Sequence, residues 1–377
     1  VDENGSETFM KTSDFDYYLP EEQIAQTPIE PRDASRLLVL HRDTGDIEHR
    51  HFYDIGEYLR PGDVLVFNQT RVIPARLPAQ KVPTGGAAEI LLLRQLDATR
   101  WLAIVGGRRI QVGTRLAVGH ENGARVEATV IEERAENERV IEFDEPIRPY
   151  LDRLGETPLP PYITTPLADP GRYQTIYARD EGSAAAPTAG LHFTGEMLLS
   201  LKHQGIEFAY CTLHIGLDTF APVREEHIED HKIHTERAVL TPEDAQTINN
   251  AKLGGGRIVA IGTTAVRTLE TAAIRSAAYG SPRNDPASVQ RTLSQLEEDL
   301  CPWRPVIAID EDTDLYITPG YRFRAVDVML TNFHLPRSTL LMLVSAFAGR
   351  ETILRAYDEA IARDYRFYSL GDCTLLV

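Results

Sequence analysis

Cysteine is scarce: Cys211, Cys301 and Cys373 are the only three in 377 residues. They are widely spaced and fall in no paired motif, which excludes a disulfide scaffold or a thiolate metal cluster and fits a reducing cytoplasm. Long apolar runs are lacking as well. Without a stretch of about 18 apolar residues no membrane-spanning helix is expected. The opening residues 1–10 are acidic and polar, with neither the basic nor the apolar region of a secretory leader. A cytoplasmic location is therefore expected, with residues 1–9 as a tail or an alternative start ahead of Met10. Positive charge is also in short supply, since 39 Lys and Arg against 56 Asp and Glu leave a formal charge of −17. That balance argues against general adhesion to nucleic acid and leaves room for a local basic groove.

What is present is enough apolar material, 42% of the chain, to bury a large core, and the length predicts two domains. Residues 13–62 read as mixed α and β, with strands at 37–41 and 48–52. From 63 to 144 strand follows strand, at 64–67, 72–77, 89–96, 101–105, 115–118, 126–132 and 140–143, punctuated by Gly85-Gly86, Gly106-Gly107, Gly113 and Asn122-Gly123. No helical period interrupts them. This pattern predicts a small antiparallel β-barrel domain over residues 63–155, inserted into an α/β catalytic domain formed by 1–62 and 156–377. The Pro-rich residues 158–163 mark a stiff return.

Beyond residue 163 strands alternate with helices. A strand is expected at 206–215, and Thr241 caps a helix with Pro242 at its first position that runs to about 253. Residues 257–261 form a continuous apolar run, as in a parallel strand buried on both faces, and Gly262-Thr263-Thr264 leads into a helix over 265–273. A further strand at 325–330 leads to Asn332 and His334, and Ser338 caps an apolar helix over 339–348. Residues 276–309 read as a peripheral insertion.

Residues 182–193 stand apart. From Gly182 to Gly190 no side chain exceeds Pro or Thr in size, and then Leu191, His192 and Phe193 arrive together before Thr194 caps a helix. So bare a backbone can lie close against a ligand, although a flexible Gly/Ser/Ala linker has the same composition. Open α/β sheets collect ligands outside the carboxyl ends of their strands, where helix N-termini present free amides. That rule selects His192, His214, Thr263, Thr264, Arg267, Asn332 and His334 as pocket candidates. Taken singly, the two threonines are simple caps, Arg267 is a partner for an acidic neighbour, and a lone histidine is a core residue. Together they predict a pocket rich in hydrogen-bond donors. His227, His231, His234 and Glu236 have spacings compatible with a metal but no completing cluster, so no metal is expected. Gly254-Gly255-Gly256 precedes a strand, whereas a dinucleotide loop follows one, so it reads as a helix terminator.

Five blocks occur in order: residues 68–77 (Asn-Gln-Thr-Arg-Val-Ile-Pro-Ala-Arg-Leu), 186–193 (Ala-Pro-Thr-Ala-Gly-Leu-His-Phe), 219–224 (Thr-Phe-Ala-Pro-Val-Arg), 262–270 (Gly-Thr-Thr-Ala-Val-Arg-Thr-Leu-Glu) and 331–336 (Thr-Asn-Phe-His-Leu-Pro), followed by Phe367-Tyr368-Ser369 and Gly371-Asp372. From about Ser13 onward the chain resembles the S-adenosylmethionine:tRNA ribosyltransferase-isomerase family of queuosine biosynthesis. The resemblance implies an α/β domain with an inserted β-barrel, generally monomeric. It also implies transfer and isomerisation of the ribosyl group of S-adenosylmethionine onto 7-aminomethyl-7-deazaguanine at the tRNA wobble position, giving epoxyqueuosine, adenine and methionine. S-adenosylmethionine is then a consumed co-substrate, tRNA the partner, and no metal or redox cofactor is implied.

On that basis His192 or His214 is expected as the base and His334 as an acid near adenine. The expected substrate-binding residues are Asn68, Thr70, Arg71, Pro187, Thr188, Ala189, Gly190, Leu191, Phe193, Gly216, Thr219, Phe220, Gly262, Thr263, Thr264, Arg267, Asn332, Tyr368 and Asp372. Arg71, Arg76, Arg94, Arg108 and Arg109 are candidates for tRNA phosphates, with simple surface solvation as the alternative. Two positions depart from the family pattern, Gln69 for the usual Asp and Asp218 for the usual Gly. An RNA-binding homologue without catalysis, another S-adenosylmethionine-dependent transferase such as a methyltransferase, and a phosphoribosyl-type enzyme remain as alternatives.

Overall fold

The computed structural model describes residues 10–119, 124–134, 138–214, 222–296 and 304–377. Gly216, Asp218, Thr219, Phe220, Asn122, Gly123 and Cys301 lie outside the described residues, as does the end of the strand expected at 206–215. The chain opens with β1 (Arg36–Leu40), β2 (Ile47–His51), β3 (Val64–Asn68) and β4 (Thr70–Val72). The next six strands are β5 (Arg76–Val82), β6 (Ala87–Gln95), β7 (Arg100–Gly107), β8 (Arg115–Gly119), β9 (Arg125–Glu133) and β10 (Glu138–Phe143). They close on themselves as an antiparallel barrel in the order β10-β7-β6-β5-β8-β9. In β9, Val126, Ala128 and Val130 point inward while their neighbours do not. That strict alternation is what one solvated and one buried face demand.

The remaining elements are α1 (Leu151–Leu154), β11 (Asp180–Ser183), α2 (Gly195–His203), β12 (Glu207–Leu213), β13 (Glu236–Leu240), α3 (Pro242–Leu253), β14 (Ile258–Ile261), α4 (Thr263–Ala277), α5 (Val289–Gln295), β15 (Ile309–Thr313), β16 (Val328–Asn332), α6 (Thr339–Ala348), α7 (Arg350–Ala362) and β17 (Cys373–Leu376). A nine-stranded sheet runs β15-β13-β12-β3-β14-β16-β17-β1-β2 among the described residues. Its four central strands, β12, β3, β14 and β16, are mutually parallel. The mixed α/β fold with an antiparallel barrel is thus as expected from the sequence.

One boundary differs. Residues 64–67, expected in the barrel, form β3 at the heart of the large sheet, so the barrel strands span Arg76 to Phe143. The reason is visible in the packing: Val64 and Val66 enter the core layer shared with α4, whereas Leu65 and Phe67 enter the opposite layer with Phe52 and Phe193. A strand covered on both faces carries a continuous apolar run, and β3 is buried at all five positions. β4 leaves the sheet and pairs in parallel with β11, placing the small-residue segment beside the start of the barrel.

The helix starts follow local chemistry. Thr194, Thr241 and Ser338 each accept a backbone N–H three residues on, from Met197, Asp244 and Leu341. Helix α4 begins earlier than expected because Gly262, at φ 86°, takes the cap position and sets Thr263 and Thr264 inside the first turn. The insertion at 276–309 is less peripheral than its sequence implied. Arg275 Nη1 donates to Asn284 Oδ1, the Asp285 carbonyl and Thr292 Oγ1 at 2.7, 2.7 and 2.8 Å, stitching α5 to α4, and Val289 is fully buried.

Candidate active site

The carboxyl ends of the central strands lie side by side: Leu213 leading to His214, Asn68, Ile261 leading to Gly262, and Asn332. Residues 184–189 lie beside these ends after leaving β11, with Ala185 and Ala186 at 0% and 2% exposure. They shape a partly open pocket with about 60 Å3 of accessible interior. Its lining comes from Ala186, Pro187, Thr188 and Ala189, from Gly262, Thr263 and Thr264, from Thr331, Asn332, Phe333 and His334, and from Tyr368 and Ser369. Tyr162, Leu335, Ser338 and Leu340 complete it, and no Asp, Glu, Lys or Arg contributes among the described residues.

Each wall has a physical function. Thr263 and Thr264 stand at the N-terminus of a 15-residue helix, where unpaired amides favour an oxygen-rich or anionic group. Thr264 Oγ1 is buried without a partner among the described residues. Opposite, the rings of Tyr162 and Tyr368 meet with centroids 4.9 Å apart, and the Tyr162 hydroxyl shares a 2.7 Å hydrogen bond with Ser369 Oγ. Tyr368 is held at φ 69°, unusual for a bulky residue, and its carbonyl accepts from Asn332 Nδ2 at 3.0 Å. An off-region backbone fixed by a buried amide is the kind of feature that binding sites retain.

His334 is the histidine lining this pocket, 7% exposed, with Nε2 3.0 Å from Thr331 Oγ1 and its backbone N–H donating to the Tyr357 hydroxyl at 3.1 Å. Burial lowers its pKa from 6.5 to about 3, so the ring is neutral at physiological pH. An uncharged imidazole can accept a proton, and the acid duty expected from the sequence requires that it first gain one.

The other two histidines lie elsewhere on the same side of the sheet. His192 packs on Phe52 with ring centroids 5.1 Å apart and lies 2.7 Å from Ser35 Oγ through Nδ1. It borders a smaller cavity beside Arg32 and Arg172. Burial lowers its pKa to about 4, partly offset by Asn332, which approaches the ring without completing a hydrogen bond. His214 faces a separate cleft between barrel and sheet, near Arg94, Arg148 and Glu181. Its Nδ1 is 3.1 Å from Thr70 Oγ1, and a Cβ on Gly182 would fall 3.0 Å from its ring. Burial lowers its pKa, Asp180 opposes the shift and Arg148 adds to it.

Of the expected substrate-binding residues, the structure gathers Pro187, Thr188, Ala189, Gly262, Thr263, Thr264, Asn332 and Tyr368 in one pocket. Others are outside that pocket and are held by partners within the fold. Asn68 is consumed as a pin between strands, its Nδ2 donating to the Leu213 carbonyl at 3.1 Å and its Oδ1 accepting from Thr70 and Leu213 amides at 3.1 and 3.2 Å. Arg267 is buried in an ion pair with Glu236 and donates to the carbonyls of Leu315 and Thr313. Asp372 accepts the backbone amides of Arg36 and Arg366, each at 2.8 Å, and pairs with the Arg36 guanidinium. Phe193 is fully buried against Phe52 and Phe67, and Leu191 packs with Tyr173 and Leu370. Gly190 is set by contact: a Cβ there would lie 1.9 Å from the Tyr177 hydroxyl. Glu236, in the stretch with metal-like spacing, thus belongs to an ion pair, and His231 lies 3.0 Å from Glu225.

The five arginines do not form one patch. Gly107, next to Arg108, sits opposite Ala88 at one end of β6 and Arg94 is near the other, a separation of about 20 Å at the usual rise per residue. Arg94 pairs with Asp312 and Arg76 approaches Glu89, while Arg71 is exposed without a hydrogen bond or ion pair among the described residues. Gln69 Nε2 donates to Asp180 Oδ2 at 3.0 Å, a contact that an aspartate at 69 would turn into repulsion. Sequence reasoning did not foresee Tyr162, Ser369 or Ser338 as pocket residues. Tyr162 follows the stiff Pro160-Pro161 turn and Ser369 adjoins the expected Tyr368 in the same block, whereas Ser338 reads only as a helix cap.

Residues 12–376 match the model of the family described as queuosine biosynthesis protein. The chain is 52% identical to the S-adenosylmethionine:tRNA ribosyltransferase-isomerase of Moorella thermoacetica, over 98% of this chain and all of that one. It is 51% identical to the enzyme of that name from Symbiobacterium thermophilum, again over 98% of this chain and all of the relative. The crystal structure of S-adenosylmethionine tRNA ribosyltransferase from Thermotoga maritima is similar with a TM-score of 0.51 and 38% identity, over 97% of this chain and 100% of that chain. With a match running from Thr12 almost to the last residue, this chain belongs to the queuosine biosynthesis protein family.

Proposed function

We propose that this chain transfers and isomerises the ribosyl group of S-adenosylmethionine onto the aminomethyl nitrogen of 7-aminomethyl-7-deazaguanine at the wobble position of tRNA, forming epoxyqueuosine and releasing adenine and methionine. The observation that carries this reading is the convergence of four separate sequence blocks, Ala186 to Ala189, Gly262 to Thr264, Asn332 to His334 and Tyr368-Ser369, on one neutral pocket. Relatives bearing that enzyme name match over their whole length. A methyltransferase or a silent RNA binder is not favoured by either.

The donor and the pocket are chemically matched. A sulfonium is a soft cation that binds well against aromatic faces, which Tyr162 and Tyr368 supply without a charged side chain. The amides at the start of α4 and the unpaired Thr264 Oγ1 suit ribose hydroxyls or the methionine carboxylate. The bare Ala186 to Ala189 segment lets the nucleoside approach the backbone closely.

In the reaction the sulfonium acidifies the ribose 5′ carbon. We assign the base to His334: with Nε2–H donating to Thr331 Oγ1, its Nδ1 keeps the lone pair that accepts that proton, and no other histidine lines the pocket among the described residues. The methionine carboxylate is the negative charge the donor brings, and it raises the basicity of a ring that burial has made weak. The imidazolium so formed then returns its proton to the departing adenine, joining the base and acid duties in one residue. The ribose ring opens as adenine leaves, and the tRNA amine adds to the opened chain and releases one N–H proton. The carbon chain recloses as a five-membered ring, and the alkoxide so formed displaces the methionine sulfur to close the epoxide. S-adenosylmethionine is consumed, and the scheme balances without a redox partner or metal. We place the protein in the cytoplasm, acting as a monomer, with tRNA approaching over the cleft between barrel and sheet where Arg94, Arg148 and Arg237 lie.

Incubation with S-adenosylmethionine and tRNA carrying the aminomethyl base tests the reading. Adenine and methionine should appear in equal amounts. S-adenosylhomocysteine would point to methyl transfer, pyrophosphate to a phosphoribosyl-type enzyme, and no product to a silent binder.

A further inference from the structure

Beneath the pocket lies a row of polar groups whose hydrogen-bond directions can be assigned. Asn332 Nδ2 donates to the Tyr368 carbonyl at 3.0 Å, which fixes the amide so that its Oδ1 points the other way. That Oδ1 is buried and has no partner among the described residues, and the same holds for His192 Nε2. The two atoms belong to neighbouring segments, since residues 188–192 pack on β16 and Asn332 approaches the His192 ring. At the far side of the imidazole, Ser35 Oγ stands 2.7 Å from Nδ1 and 3.3 Å from the Arg32 carbonyl. A hydroxyl has one hydrogen to give, and the shorter contact is the stronger claim on it.

We propose that Ser35 donates to His192 Nδ1, that the imidazole carries its proton on Nε2, and that this N–H is aimed at Asn332 Oδ1, so that Ser35 and His192 are positioning residues for the pocket. Both nitrogens are then committed: Nδ1 has given its lone pair to Ser35 and Nε2 holds a proton. His192 has no lone pair left for substrate, so it is not the base. Its effect passes through Asn332 to the Tyr368 backbone at φ 69°, and thence to the Tyr162–Tyr368 wall against which a flat ring would rest. The opposite tautomer would set a lone pair on Nε2 against the Asn332 oxygen, two acceptors face to face in a dry site. The functional part of this proposal rests on reading the pocket as the nucleoside site.

The test compares His192→Gln with His192→Ala. Glutamine sets an amide N–H near the place of Nε2–H and has no basic nitrogen. The relay predicts that His192→Gln keeps single-turnover adenine release within about tenfold of the unaltered chain, whereas His192→Ala loses about 10²-fold. A Gln variant as slow as the Ala variant would make the imidazole itself indispensable and overturn the proposal. Should His192→Ala fail to fold, the 15N shifts of the His192 ring in the unaltered protein decide. Nε2 in the protonated range with Nδ1 unprotonated is the expected result, and the reverse overturns it. That measurement needs no turnover, so an unaltered chain that releases no adenine would count against the functional reading while the relay is still judged by the tautomer.

Discussion

Gly190→Ala isolates one contact on which the pocket-lining loop depends. The backbone at Gly190 lies outside the left-handed region, so alanine is not strained there; it gains about 0.4–1 kcal/mol through the unfolded chain, and the opposing cost comes from the added methyl. That methyl would fall 1.9 Å from the Tyr177 hydroxyl and 2.9 Å from Thr175 Cγ2. Tyr177 cannot easily swing away, because its ring packs against Phe67 with centroids 4.8 Å apart. Overpacking of this kind costs about 1–3 kcal/mol. The Tyr177 hydroxyl is itself buried without a hydrogen-bond partner among the described residues, so Tyr177→Phe should be neutral or stabilising. In the Tyr177→Phe background the closest clash is gone and Gly190→Ala should cost less, with a coupling of about 1–2 kcal/mol; the Thr175 contact and the retained ring Cζ, 3.0 Å away, keep the rescue partial. Denaturant melts of the four proteins measure the cycle, and S-adenosylmethionine affinity should follow stability, since Gly190 ends the segment that lines the pocket. An equal cost of Gly190→Ala in both backgrounds, or a cost below about 0.5 kcal/mol, would refute the reasoning.

Other expectations are more compact. Arg267→Leu leaves the buried Glu236 carboxylate without its cation and should destabilise by about 3–5 kcal/mol, with much of the loss recovered when Glu236→Leu is added; thermal melts distinguish this from a substrate-binding function. His334 and His192 have folded pKa values lowered to about 3 and about 4, so between there and pH 6.5 the unfolded chain binds protons that the folded one refuses. Stability therefore falls as pH drops below 6.5, and His334→Asn should flatten the slope of unfolding free energy between pH 6 and pH 5 by about 1.2 kcal/mol per pH unit. The same substitution should lower single-turnover adenine release by about 10²-fold or more if His334 moves protons, and a near-normal rate would remove it from the mechanism. Arg148→Glu should weaken tRNA binding and reduce its salt dependence while leaving S-adenosylmethionine affinity unchanged, since Arg148 borders the barrel-side cleft and not the pocket.

The sequence made legible what depends on period and capping. The barrel strands alternate as half-buried strands must, and Thr194, Thr241 and Ser338 cap the helices their spacing announced. The run at 258–261 was readable as a doubly covered strand, and the same logic applied to 64–67, where the absence of a following helix hid it. Strand ends located most of the pocket, because the place where parallel strands stop is a property of topology. The fates of Arg267, Asp372 and Asn68 were not legible. Each is a polar residue in a functional-looking motif whose partners come from distant segments, so local chemistry cannot separate a ligand contact from a structural pin. The three histidines illustrate the same limit: all lie on the carboxyl side of the sheet, and only packing assigns them to different cavities.

Where the donor binds decides the mechanism, and a crystal structure of the complex with S-adenosylmethionine reads that out directly. Density for the nucleoside should lie between the Tyr162–Tyr368 wall and the Gly262-Thr263-Thr264 turn, with His334 facing the ribose. Density in the larger cavity beside Arg224 and Tyr316, or in the barrel-side cleft around His214, would contradict it.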